Sequence, residues 1–340
     1  MFHGLRNLSE DTLGLLITGL FVMIGAHVTE PACAAGTQEI TVIRYLSSAG
    51  TVDASEIAAA KGWLQADGIK FESAGFSQGG PESLFAIAAG SIDMAGAANA
   101  AVINAISNGS DIVAVKPGFG VSKTANSKFY VLAKSAITKP SDLIGKTIAV
   151  NTLGAHLDYT VREYLRIHNI PQHAVRLVAV PGPQLEQTLR SGQVDVAAVG
   201  AWQAVFAGKL EADGGVRVLF DDYQVLGNIT LGYDVMRKAF VEAHPAAVRA
   251  FVSDSAKAAD WATEHPDDAK KLIAQLLAKR GENPELANYW PGFGLREHAL
   301  LTDHDAQFWI DVVEREQKLR KGQLSVNAVQ TNRYNSYAQQ

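Results

Sequence analysis

From Glu39 onward, short apolar runs rich in β-branched residues alternate with amphipathic helical stretches. This alternation constrains the fold more than any other property of the chain. Such strands cannot pair as hairpins across intervening helices, so they call for parallel sheets covered on both faces. The first series places strands at 40–46, 69–76, 92–95 and 112–116, with helices at 57–63, 81–89 and 100–107. A less regular stretch, 117–126, precedes a second series. Its strands fall at 129–133, 147–151, 176–180, 194–199 and 216–220, and its helices at 154–168, 185–190 and 202–211. The last third is helical, at 246–263, 267–280 and 303–318, with Trp261 and Trp309 at core spacing. The tail from Gln323 is polar and is expected to be loose.

The two series share a signature. Gly90-Ser91-Ile92-Asp93-Met94-Ala95 matches Gly192-Gln193-Val194-Asp195-Val196-Ala197: a helix ends at Gly and a strand begins at Ile/Val-Asp. Two lobes on one plan follow. Asp93 and Asp195 stand at strand beginnings, whereas ligands of such sheets bind beyond the carboxyl ends, so both read as structural.

Residues 1–34 differ in kind. Arg6 precedes an apolar run from Leu13 to Gly25, closed by Ala32-Cys33-Ala34-Ala35. That is the pattern of a cleaved secretory signal, and the run is short of the about 20 residues a bilayer span needs. Glu30, three before Cys33, argues against lipid attachment there. Cleavage after Ala34 leaves a chain without cysteine, which excludes disulfides and thiolate chemistry. It also changes the net charge from −5 to −3, which gives no reason to expect nucleic acid as a partner.

Two lobes imply a cleft lined by strand-to-helix loops. The candidate ligand-binding residues on those loops are Ser47, Ser48, Gln78, Gly79, Asn99, Thr152, Ala155, His156 and Trp202. Gly and hydroxyl residues ahead of helices present unpaired N–H groups and a partial positive charge, which suit a small anion. Trp202 can stack on the solute or fill the core. Gly75-Phe76-Ser77-Gln78-Gly79 matches the G-x-S-x-G nucleophile elbow. A secreted serine hydrolase using Ser77 is therefore the alternative, although no HGGG-type segment precedes it and no later His sits in a recognisable loop of that lobe. Metalloprotease, P-loop and dinucleotide motifs are absent, and His168 and His173 share no helical face. No cofactor and no metal site is expected.

The run Asp142-Leu143-Ile144-Gly145-Lys146-Thr147-Ile148-Ala149-Val150-Asn151, followed by Gly154, resembles a conserved block of the substrate-binding proteins of nitrate, sulfonate and taurine ABC transporters. The family also includes binders of thiamine-pyrimidine precursors. Ala88-Ala89-Gly90-Ser91-Ile92-Asp93, Leu189-Arg190-Ser191-Gly192-Gln193-Val194-Asp195 and the His244-Pro245 helix are similar to further blocks. The resemblance implies an α/β, type II periplasmic-binding fold with two Rossmann-like lobes, two crossovers and C-terminal helices. The expected boundaries are 1–34 for the signal, 35–120 with 226–340 for lobe 1, and 121–225 for lobe 2. It further implies a periplasmic monomer that closes on a small organic anion (a sulfonate, taurine, nitrate or a carboxylate) and delivers it to a permease with its ATPase. A sensor that presents its ligand to a membrane receptor is a further alternative. The enzyme branches of this fold use cysteine, and here only Cys33 is present. Arg44 lies in the first strand, where the family often has a basic residue.

Overall fold

The computed structural model describes residues 40–339, and the expected signal segment lies outside them. The strands are β1 (Thr41–Ser48), β2 (Ile69–Ser77), β3 (Met94–Ala98), β4 (Ile112–Val121), β5 (Lys128–Leu132), β6 (Thr147–Val150), β7 (Arg176–Ala179), β8 (Val196–Val199), β9 (Val216–Asp221) and β10 (Ile229–Arg237). The helices of the two series are α1 (Ala54–Ala60), α2 (Trp63–Ala66), α3 (Gly80–Ala88), α4 (Asn99–Ser107), α5 (His156–Ile167), α6 (Leu185–Arg190) and α7 (Ala204–Ala212). The remainder are α8 (Asp222–Leu226), α9 (Lys238–Ala243), α10 (Pro245–Glu264), α11 (Pro266–Lys279), α12 (Asp303–Arg315) and α13 (Val326–Val329).

One lobe holds β1 paired with β2, beside a β3-β10-β4 sheet; the other holds the sheet β7-β6-β8-β5-β9. The two arrangements are the same in topology. Within each, one strand runs against the rest, β10 in the first and β5 in the second. Each is the first strand after a crossover, β5 where the chain enters the second lobe after 122–127 and β10 where it returns to the first after 222–228. A chain leaving one sheet at the carboxyl ends of its strands meets the other at that same end, so its first strand there must run backwards. β10 has both faces buried and so shows no alternation. For that reason the periodicity assigned it to no element.

The repeated signature is a repeated device. α3 ends with Gly90 at φ +74° and α6 with Gly192 at φ +73°, the left-handed cap that glycine adopts without a Cβ penalty. The Ser91 N–H donates back to the Ala86 carbonyl, and the Gln193 N–H to that of Thr188. Asp93 then accepts from the Arg44 N–H (3.1 Å) and Asp195 from the Thr147 N–H (2.9 Å), while each donates its own N–H to the carbonyl of that same residue. The aspartates thus tie the central strand to its neighbour in each lobe. Arg44 is spent on this tie, with its Nε 2.8 Å from Asp93, and does not line the cavity described below.

The tail is not loose. Val329 is fully buried, Gln330 bridges to Ala114 of β4, and the Asn335 side chain donates to the His298 carbonyl. Its polar side chains are consumed by backbone groups, which composition alone does not reveal. Behind the crossovers, Gly120 lies against Gly294 so closely that a Cβ on Gly120 would collide with the Gly294 carbonyl. Gly120→Val is therefore expected to destabilise by about 1–3 kcal/mol or more through overpacking, read as a lower urea midpoint at unchanged slope.

Candidate functional site

The strand-to-helix loops of both lobes converge on one cavity of about 120 Å³, a size for a small solute. Ser47 and Ser48 end β1, Gly79 and Gly80 open α3, Ala97 and Ala98 lead into α4, Thr152 and Ala155 lead into α5, and Trp202 precedes α7. The N-caps of α3, α4 and α5 are Gly79, Ala98 and Ala155, and none carries a side-chain capping bond. By contrast, Asp53, Asp221 and Thr302 cap α1, α8 and α12 with their own side chains. Small N-caps leave N–H groups and room for an anion at the positive ends of three helices. The lobes meet across this cavity. The Thr51 hydroxyl donates to the Trp202 carbonyl (3.0 Å), and Gly79 faces the Thr152 side chain.

Of the residues expected at the ligand, Ser47, Ser48, Gly79, Thr152, Ala155 and Trp202 line the cavity. Gln78, Asn99 and His156 do not. Gln78 is exposed, and its N–H donates to Glu82. Asn99 is fully buried beneath α4 and donates to the Thr230 carbonyl (2.9 Å). His156 begins α5 but turns inward, with Nε2 2.7 Å from Asp222 and both side chains fully buried. A loop position fixes where a backbone goes and leaves open which way its side chain turns. Ser77 donates to the Gly79 carbonyl (2.7 Å) and accepts from Ser83 (3.1 Å). This serine is a loop brace with no histidine among its hydrogen-bond partners.

The sequence reading missed the other half of the cavity wall. Tyr45, Phe119 and Tyr233 supply aromatic surface, and Asp53, Glu56 and Asp234 supply carboxylates. Asp234 sits on β10, the unassigned strand, and pairs with the buried Lys116 of β4. Asp53 accepts the Glu56 N–H (2.8 Å), and Glu56 accepts the Asp53 N–H (3.0 Å), a reciprocal box at the start of α1. Asp53 followed three residues later by Glu56 was legible as that box, though not as a cavity wall. Glu56 also accepts from the Tyr45 hydroxyl (2.8 Å) and from Arg280 (3.1 Å). Burial and the neighbouring Asp53 charge push the Glu56 carboxyl up to about 7, and burial with the Asp234 charge raises that of Asp53. Three carboxyl groups face Lys116 and Arg280 here, so this wall carries surplus negative charge once Glu56 ionises above about pH 7. The cavity therefore offers two chemistries, helix N-termini for an anionic group and carboxylates for a cationic one.

Residues 55–269 match the family model described as NMT1/THI5 like, which is more than half of the chain. The chain belongs to the NMT1/THI5-like family. It is 35% identical over 174 residues to the taurine-binding periplasmic protein of Escherichia coli (strain K12), a match covering 48% of this chain and about half (52%) of that protein. In structure this family member is similar to the alkanesulfonate-binding protein SsuA from Xanthomonas axonopodis pv. citri bound to MOPS, with TM-score 0.69 and 20% identity over 86% of this chain and 98% of that one. It is also similar to the periplasmic nitrate-binding protein NrtA from Synechocystis PCC 6803, with TM-score 0.68 and 15% identity over 88% of each chain. At such identities these two likenesses establish the periplasmic-binding fold. The desulfurization enzyme DSZB shares that fold, with TM-score 0.63 and 17% identity over 88% of this chain and 98% of that one.

Proposed function

We propose that this chain is the periplasmic solute-binding component of an ABC importer and that its solute is a small sulfonate or carboxylate bearing an ammonium group, of the taurine class. In this reading residues 1–34 are a cleaved signal. The mature monomer holds its solute between lobe 1 (35–120 with 226–340) and lobe 2 (121–225) and presents it to a permease driven by an ATPase. The observation that carries the reading is the convergence of three helix N-termini without side-chain caps, from both lobes, on one small cavity that also has a carboxylate wall. A bound sulfonate completes the missing caps and the ammonium offsets Asp53 and Asp234. The 35% identity to a taurine-binding protein supports the same class.

The test is a thermal-shift and calorimetry panel of taurine, ethanesulfonate, isethionate, nitrate and thiamine pyrimidine on the mature protein. Taurine at 100 times its Kd should add about 2.7 kcal/mol, a rise of roughly 5–10 °C. Ethanesulfonate, which matches its sulfonate but lacks the amine, should bind weakly. Equal binding of taurine and ethanesulfonate would remove the ammonium from the reading, and silence across the panel would remove the solute class.

A pH dependence follows from the raised Glu56 carboxyl. An ammonium nearby favours the ionised form, so binding releases a proton at and below pH 7. Taurine affinity is then expected to rise from pH 6 to pH 8 and to level off above. Titrations in buffers of different ionisation enthalpy read the proton directly. An affinity flat over that interval would contradict the coupling.

A further inference from the structure

His156 was expected at the ligand, yet its ring is buried against a different structure. Nε2 lies 2.7 Å from Oδ2 of Asp222, the first residue of the return crossover. The other Asp222 oxygen accepts the N–H of Ser127 (2.8 Å), the last residue of the outward crossover, and the Asp222 N–H donates to the Ser127 carbonyl (3.0 Å). The Ser127 hydroxyl in turn accepts the Ala201 N–H (3.0 Å), immediately before Trp202. All three polar side chains are buried to within 1%. Beyond the carboxylate, the His156 ring meets Trp202 edge-on and lies against Trp309 of α12.

One buried node therefore joins both interlobe crossovers to two walls of the cavity, the α5 N-terminus and the Trp202 loop. Opening the lobes requires rotation about the two crossovers. Ser127 and Asp222 extend the β5–β9 pair, in which Lys128 faces Asp221, so they move together with Ala201 and His156; the node meets the other lobe where the His156 ring lies against Trp309 of α12, and rotation about the crossovers shears that packing. We propose that His156 is a positioning residue that transmits occupancy of the cavity to the hinge: it holds the α5 wall to the crossover pair, so that the lobes close as one two-state unit. This rests on the two-lobed capture reading. It goes further in assigning the coupling to a residue that does not touch the cavity.

The experiment measures interlobe distance by pulsed dipolar spectroscopy, with spin labels at the exposed positions Gln65→Cys and His173→Cys in a Cys33→Ser background. Parent, His156→Asn and Ser127→Ala are compared with and without saturating taurine. His156→Asn should broaden the distribution without solute and fail to narrow it with solute. Taurine dissociation should become at least ten-fold faster, because the cavity can open on one wall at a time. Ser127→Ala, which removes only the link to Ala201, should move the same way by less, and Ser127→Thr should restore the parent. If His156→Asn does not fold, Ser127→Ala against Ser127→Thr decides the matter. A purely structural histidine would lower the urea midpoint and leave the distance distributions and the dissociation rate at parent values, and that result overturns the proposal. Failure of the capture reading looks different: the parent's own distribution would not respond to taurine, while the variants could still broaden the distribution without solute.

Discussion

Replacing Lys116 with Met is expected to cost about 3–5 kcal/mol of folding stability, because it leaves the Asp234 carboxylate buried without its partner. The Lys116 side chain is 2% exposed and that of Asp234 is 6% exposed, so little water can enter to compensate. Lys116 also points its ammonium toward the Phe251 ring, 6.0 Å from the centroid. In a chain of this size the loss lowers Tm by roughly 10 °C. The double variant Lys116→Met with Asp234→Leu should recover most of it, because an apolar pair of similar volume is often neutral relative to a buried ion pair. Urea unfolding of the two variants reads the difference. A single variant as stable as the parent would mean that Asp234 is neutral in the fold and would weaken its place in the carboxylate wall.

Asp53→Asn is expected to weaken taurine binding by about 2 kcal/mol or more, roughly 30-fold, the scale for removing one partner of a desolvated charge pair. Asn caps a helix as well as Asp does, so α1 and the overall stability should hold. Ethanesulfonate, which has no ammonium, should bind this variant at least as well as it binds the parent, since the surplus negative charge has fallen. The readout is the ratio of the two dissociation constants. If both ligands weaken equally, Asp53 shapes the cavity without sensing charge, and the ammonium contact moves to Asp234 or Glu56.

Much of the fold was legible because its signals are local. The strand alternation, the glycine at each helix end and the Ile/Val-Asp strand starts lie within a few residues of one another. Each reports a conformation that the backbone adopts from neighbouring side chains. That locality is why the duplicated plan could be read from Gly90 to Ala95 against Gly192 to Ala197, and why six of the nine expected ligand residues line the cavity: a loop after a strand in such a sheet can face only one way. The family blocks around Asp142–Asn151 carried the same information in another form.

The rest was decided by contacts that no local pattern encodes. His156 turned from the cavity because Asp222, sixty-six positions away in the chain, offered a buried carboxylate. Lys116 and Asp234 are separated by 118 positions and meet only because β10 slots between β3 and β4. A strand buried on both faces has no period to betray it, and a charged residue inside it reads as a break rather than as half of an ion pair. By itself the sequence determined which backbone segments would reach the cleft. Only the tertiary structure decided which side chains would face it, because side-chain direction at a loop is set by the partner that neutralises or buries it, and that partner comes from elsewhere in the chain.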